Sequence, residues 1–213
     1  QVQIMNQSVM ERENLILSIV RSYFLESPPK VREENQHHYV ILGITTFFGL
    51  LFHGLWIPLF WLLGVKQLAI FNILSVSIFL GAIILNRKGY HFISGLLAFI
   101  EVCSHQTLCV LIIGWSAGFQ YYIFMLPIML FLLPHGRDLL KIVLLLFCLI
   151  NFSALDYLFR IADPIFILNP LMLNIFNYSN ILLIFVILSF GGYFFNFRVY
   201  KAESALRSEQ FKV

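Results

Sequence analysis

The chain has 213 residues, of which 60% are hydrophobic and only 12% charged, with a mean hydropathy of +0.85 and a formal net charge of +3. Those values exclude a soluble globular domain, in which about a quarter of the residues carry charge, and specify an all-α, polytopic membrane protein. The excess of three positive charges is too small and too dispersed to argue for a nucleic-acid partner.

Residues 1–38 read as a cytoplasmic arm. Ser8 followed by Glu11 has the spacing of a capping box, and Val9, Ile16, Ile19, Val20 and Tyr23 form an apolar stripe that Pro28 and Pro29 stop. An amphipathic helix is expected there, lying in the lipid interface or packed on the bundle or on a second subunit. His37 and His38, at the end of the arm, are expected to be solvated. No apolar core stands behind a basic start, so the first span is expected to serve as its own signal.

Six runs can cover the roughly 30 Å of a bilayer's hydrocarbon. They are Tyr39 to Leu63, Leu68 to Leu85, Tyr90 to Ile113, Gly118 to Leu133, Leu139 to Leu158 and Leu173 to Arg198, and together they make residues 39–198 a six-helix domain. The fourth is the shortest. Residues 199–213 continue the sixth span without a helix breaker, and Val199, Ala202, Leu206, Glu209 and Val213 keep 3,4 spacing. That pattern fits the first heptads of a parallel coiled coil or a solvated helical tail; the chain stopping in mid-helix favours the coiled coil. Twelve of the fourteen Lys and Arg residues fall in the arm, the second and fourth connections and the tail, leaving Lys66 and Arg160 opposite. Both termini are therefore expected in the cytoplasm.

The costly residues are inside the spans. Glu101 and His105 lie one helical turn apart in the third, where an acidic or basic group costs about 3 kcal/mol or more and so marks a site. At 1.5 Å per residue Glu101 is about 17 Å from the inner end and His105 about 6 Å further out. His53, Asp156, Asn72, Gln120, Tyr121, Asn174, Asn177 and Asn180 fall in the outer halves as well, while the inner halves are nearly free of hydrogen-bonding side chains. An outward-facing polar pocket is expected, with Glu101, His105, His53 and Asp156 as candidate ligands and Asn72, Gln120, Tyr121 and Asn177 as its lining. Two imidazoles and two carboxylates suit a divalent cation, Zn, Mn or Mg, with Glu101 and His105 as its first ligands. A protonated Glu101 donating to a small organic molecule fits the same pattern, and each residue also has a purely structural reading. His53 can join two helices, and Asp156 can pair with Arg160 one turn on. Cys103, Cys109 and Cys148 all sit within spans and offer no disulfide framework.

The third and fourth spans carry a resemblance. Glu-Val-Cys-Ser-His-Gln from Glu101 and Gly-Trp-Ser-Ala-Gly-Phe-Gln-Tyr-Tyr from Gly114 to Tyr122 resemble the six-span membrane domain in front of bacterial class III adenylate/guanylate cyclases and some diguanylate cyclases. His53, Ile-Phe-Asn-Ile-Leu-Ser around Asn72 and Asn-Arg-Lys-Gly from Asn86 to Gly89 extend it over about residues 39–213. The tail Ala-Glu-Ser-Ala-Leu-Arg-Ser-Glu-Gln is similar to the helix that joins such domains to the catalytic domain. Ser116 and Ala117 depart from it, standing where an acidic residue is often found. The resemblance implies a multi-pass receptor and anchor of the bacterial inner membrane, homodimeric through its output, with lipids and an unknown outer ligand or cation as partners. Its carried-over positions are His53, Glu101, His105 and Asp156.

No paired aspartates for a metal nucleotide, no Gly-Gly-Asp-Glu-Phe run and no phosphate loop occur, so this chain is not itself expected to be an enzyme. A regulatory domain for an adenylate cyclase, ahead of a diguanylate cyclase, is the leading expectation. A proton-coupled transporter, a structural dimerising anchor and, more remotely, an intramembrane metallohydrolase are the alternatives.

Overall fold

A computed structural model describes residues 28–32, 35–131, 137–159 and 163–210. The described residues fold into helices and short 3-10 turns, without strands. In chain order the helices are α1 (Gln36–Leu62), α2 (Lys66–Arg87), α3 (His91–Ile113), α4 (Leu126–Phe131), α5 (Asp138–Phe159) and α6 (Pro170–Gln210). Five of them are long and apolar enough to cross a membrane: α1, α2, α3, α5 and the first 28 residues of α6. The amphipathic arm helix expected before Pro28 lies outside the described residues, as does Arg160, the partner expected for Asp156.

The fourth expected span is not one continuous helix. Trp115–Ala117 and Phe119–Met125 are 3-10 turns, and only the six residues of α4 that follow are α-helical. Gly114 and Gly118 bracket the first turn with φ of 93° and 82°, values that a helix interior never adopts. Pro127 is tolerated because it falls in the first turn of α4, where its missing N–H has no partner to lose.

The chain divides into two compact units within α3, one running to Glu101 and the other taking up Val102–Phe131 and α5 and α6. In the first, α1 and α2 form a tight hairpin. Its turn ends in a left-handed Gly64, φ 80°, with Val65 N–H bonding back to the Phe60 carbonyl at 2.9 Å. Gly89, φ 88°, repeats the device after α2, where Tyr90 N–H bonds to the Leu85 carbonyl at 3.0 Å. Connections of three residues leave the helices no choice but antiparallel packing. Gly49 on α1 faces the Phe79 ring so closely that a side chain there would overlap it. Gly49→Val is accordingly expected to cost about 1–3 kcal/mol through overpacking, read as a lowered thermal midpoint in detergent.

In the second unit the carbonyls at the end of α3, which have no helical partner, are capped by the loop before α6. Phe166 N–H bonds to the Ile112 carbonyl at 2.7 Å and Ile165 N–H to that of Leu111 at 3.3 Å. Asn169 then caps α6, its Oδ1 accepting from Met172 N–H at 2.8 Å, with Pro170 at the first helical position. Phe119, Ile123, Leu126, Leu130 and Phe176 are buried between the 3-10 segment, α4 and α6. Large apolar side chains such as Leu55, Ile70, Phe147, Leu182 and Phe185 stay exposed, the pattern of helices whose outer faces meet lipid.

Candidate functional site

Three of the expected site residues come together in the first unit. Asn72 on α2 is fully buried and donates from Nδ2 to the Leu68 carbonyl at 2.7 Å, which turns its Oδ1 toward α1. His53 donates from Nδ1 to that oxygen at 2.9 Å. Its other nitrogen, Nε2, then faces Glu101 Oε2 on α3 at 3.4 Å. The Asn72 amide thus selects the histidine tautomer, the outer-partner device that orients metal-binding and catalytic imidazoles alike. A neutral His53 presents a lone pair to Glu101 and fits a protonated carboxyl; an ionised carboxylate requires imidazolium. Glu101 is 1% exposed, and neither of its oxygens has a hydrogen bond of full geometry among the described residues. Phe79 stacks on the His53 ring with centroids 5.1 Å apart and closes one side.

His105 has a different environment. Although one turn from Glu101 on α3, it belongs to the second unit, where its Nδ1 lies 3.7 Å from Cys109 Sγ and its ring meets Phe119 edge-on. Asp156 is half-buried on α5, in the same unit as His105. No group of three or more His, Cys, Asp or Glu among the described residues is close enough to hold a metal ion. The expected four-ligand cation site is therefore not assembled. His53 and Glu101 supply at most two ligands, fewer than the three a metal group needs among the described residues.

The expected pocket lining separates in the same way. Asn72 belongs to the His53 site. Gln120 is fully buried with both amide atoms unpartnered, whereas Tyr121 and Asn177 are half-buried and Asn177 packs its Oδ1 against Gly118. Asn180 makes the bonds of this region: its Nδ2 donates to the Ala117 carbonyl at 2.9 Å and its Oδ1 accepts from Tyr122 at 3.0 Å. Its full burial distinguishes it from the exposed Asn174, a difference that no sequence spacing reveals.

A second polar node was missed. Asn86 donates to the Tyr39 carbonyl at 2.7 Å and accepts at Oδ1 from His91 Nδ1 at 2.7 Å, while Ser94 donates to the Ala82 carbonyl at 2.8 Å. Asn86, His91 and Ser94 are all buried, and they stand at the end of the helices assigned to the inside by charge. The inner half is thus not free of hydrogen-bonding side chains. His38, expected to be solvated, is buried there too, whereas the side chain of His37 lies outside the described residues. Asn86 and Gly89 belong to the Asn-Arg-Lys-Gly run, so the run's composition was the available signal. Comparison with protein-family models, with curated proteins and with solved structures finds no match for this chain.

Proposed function

We propose that this chain is the membrane receptor domain of a dimeric nucleotide cyclase, an adenylate cyclase in the first instance, and that the His53–Glu101 pair is the element its signal acts on. The observation that carries the reading is a fully buried carboxyl 3.4 Å from an imidazole that Asn72 orients toward it. A buried acid–base pair of this kind is costly, and function rather than stability is the usual reason for keeping one. Signalling needs two packings that a ligand binds differently. Protonation or capture of a cation by Glu101 would release or tighten the three helices that His53, Asn72 and Glu101 join. The unbroken α6 supports a relay: 41 residues at 1.5 Å each measure about 60 Å, twice the hydrocarbon thickness, so its polar end continues beyond the span. The side chains of Ala202, Leu206 and Glu209, which set the expected coiled-coil seam, lie outside the described residues.

The test uses the chain joined to its catalytic domain in membranes. Glu101→Gln and His105→Ala are substituted separately, and cyclic AMP formation is measured while Zn, Mn or Mg is titrated on the outer side. Glu101→Gln is expected to abolish the response with assembly unchanged, and His105→Ala, outside the pair, to leave it in place. A response unaltered by Glu101→Gln overturns the reading.

One observation favours proton-coupled transport instead: buried polar groups stand at both ends of the first unit, His53, Asn72 and Glu101 at one and Asn86, His91 and Ser94 at the other. Against it, Phe79 and Ala98, both buried, fill the stretch between, and the six residues from Val76 to Gly81 separate Ser75 from Ala82, a rise of about 10 Å. Proton flux in liposomes separates the two readings.

A further inference from the structure

A cavity of about 320 Å³ lies between α3 and α5 in the second unit and is lined by Cys103, Ser104, Thr107, Leu108, Phe147 and Asn151. Its polar wall is built, not incidental. Gln106, 1% exposed, donates from Nε2 to Asn151 Oδ1 at 2.6 Å, which occupies the asparagine carbonyl and turns its NH2 group the other way. Asn151 spends one N–H on Thr107 Oγ1 at 3.1 Å, and Thr107 in turn donates to the Cys103 carbonyl at 2.7 Å. Two hydrogen-bond donors stand at the cavity: the second N–H of Asn151 and, outside the network, the hydroxyl of Ser104. The opposite wall, Leu108 and Phe147, is apolar, and Phe147 is 48% exposed.

We infer that this cavity binds a neutral, membrane-resident amphiphile through a carbonyl or ester oxygen. Three features select that class. The wall offers uncharged donors, so it recognises an oxygen acceptor, while the absence of any ionised side chain from the lining leaves an anionic head without a counter-charge. The volume is at the lower end of small-molecule sites and holds a compact head with the first carbons of its chain. The exposed Phe147 gives the rest of the chain an apolar surface leading toward lipid. Donors facing hydrocarbon with nothing to bond are expensive, and such a head satisfies them. This site shares no residue with the proposed receptor pair and does not depend on that reading.

The intact chain in lipid nanodiscs is irradiated with three diazirine probes of one chain length: a monoacylglycerol, the corresponding fatty acid and the corresponding alkane. Adducts are mapped by mass spectrometry. The monoacylglycerol is expected to label residues 103–108 and 147–151 preferentially, and Asn151→Leu to lower that labelling about five-fold, the worth of one hydrogen bond. Ser104→Phe, which fills the cavity without touching the amide network, is expected to lower it at least as far and decides the matter if Asn151→Leu does not fold. Equal labelling by the alkane, preferential labelling by the fatty acid, or labelling unchanged in a folded variant overturns the inference. So does absent labelling accompanied by Ser104→Cys cross-links between two copies, which would make the cavity a helix–helix contact.

Discussion

Replacing His53 with alanine is expected to lower the stability of the protein in detergent by about 3–5 kcal/mol, the largest loss of any single substitution at the site. The change leaves Glu101 buried without its imidazole and removes the donor to Asn72 Oδ1, so a carboxyl and an amide are stranded together. Glu101→Gln should cost only about 1 kcal/mol, because the amide N–H donates to His53 Nε2 in place of a protonated carboxyl. The pair His53→Leu with Glu101→Leu should recover most of the loss, since apolar residues of similar volume replace a buried polar pair at little cost. Urea or thermal unfolding of the wild type, His53→Leu, Glu101→Leu and the pair forms a double-mutant cycle that reads the coupling directly. Additive losses would show that the two side chains do not act on each other.

Rotating the end of α6 is the second substantial perturbation. In the cyclase proposed above, with a catalytic domain joined to this chain, two residues inserted after Phe197 turn everything downstream by about 200°, while seven residues turn it through nearly two full turns and restore the original face. The two-residue insertion is expected to abolish regulated cyclic nucleotide formation, and the seven-residue insertion to return most of it. The helix is unbroken from Pro170 to Gln210, so nothing between span and tail absorbs the twist. Equal activity in both insertions would mean that α6 tethers the output without orienting it.

The two sites also separate by what holds them. His53, Asn72 and Glu101 come from α1, α2 and α3 and depend on the hairpin that Gly64 and Gly49 make possible. Cys103, Ser104, Thr107 and Asn151 come from α3 and α5 and depend on the Gln106–Asn151 bond.

How much of this was legible beforehand depends on the kind of interaction. Five helices long and apolar enough to span a membrane were, because a bilayer demands a fixed apolar length with every backbone group bonded internally, and a run of side chains records that demand residue by residue. Glu101 and His53 also declared themselves as expensive residues at similar depth. The broken fourth segment did not: Phe119–Met125 has the apolar composition of a span yet winds as a 3-10 turn, after a left-handed Gly118 that a hydropathy sum counts as neutral. Nor did Asn86, whose value comes from reaching a carbonyl 47 residues away.

The sequence by itself thus determined the class, the long spans and which residues were too costly to be idle, since these follow from transfer energies that each residue carries alone. Only the tertiary structure decided partnership. It gave Glu101 to His53 and Asn72, left His105 beside Cys109 and Phe119, and paired Gln106 with Asn151, because hydrogen bonds are short and directional and their partners are chosen by how helices pack.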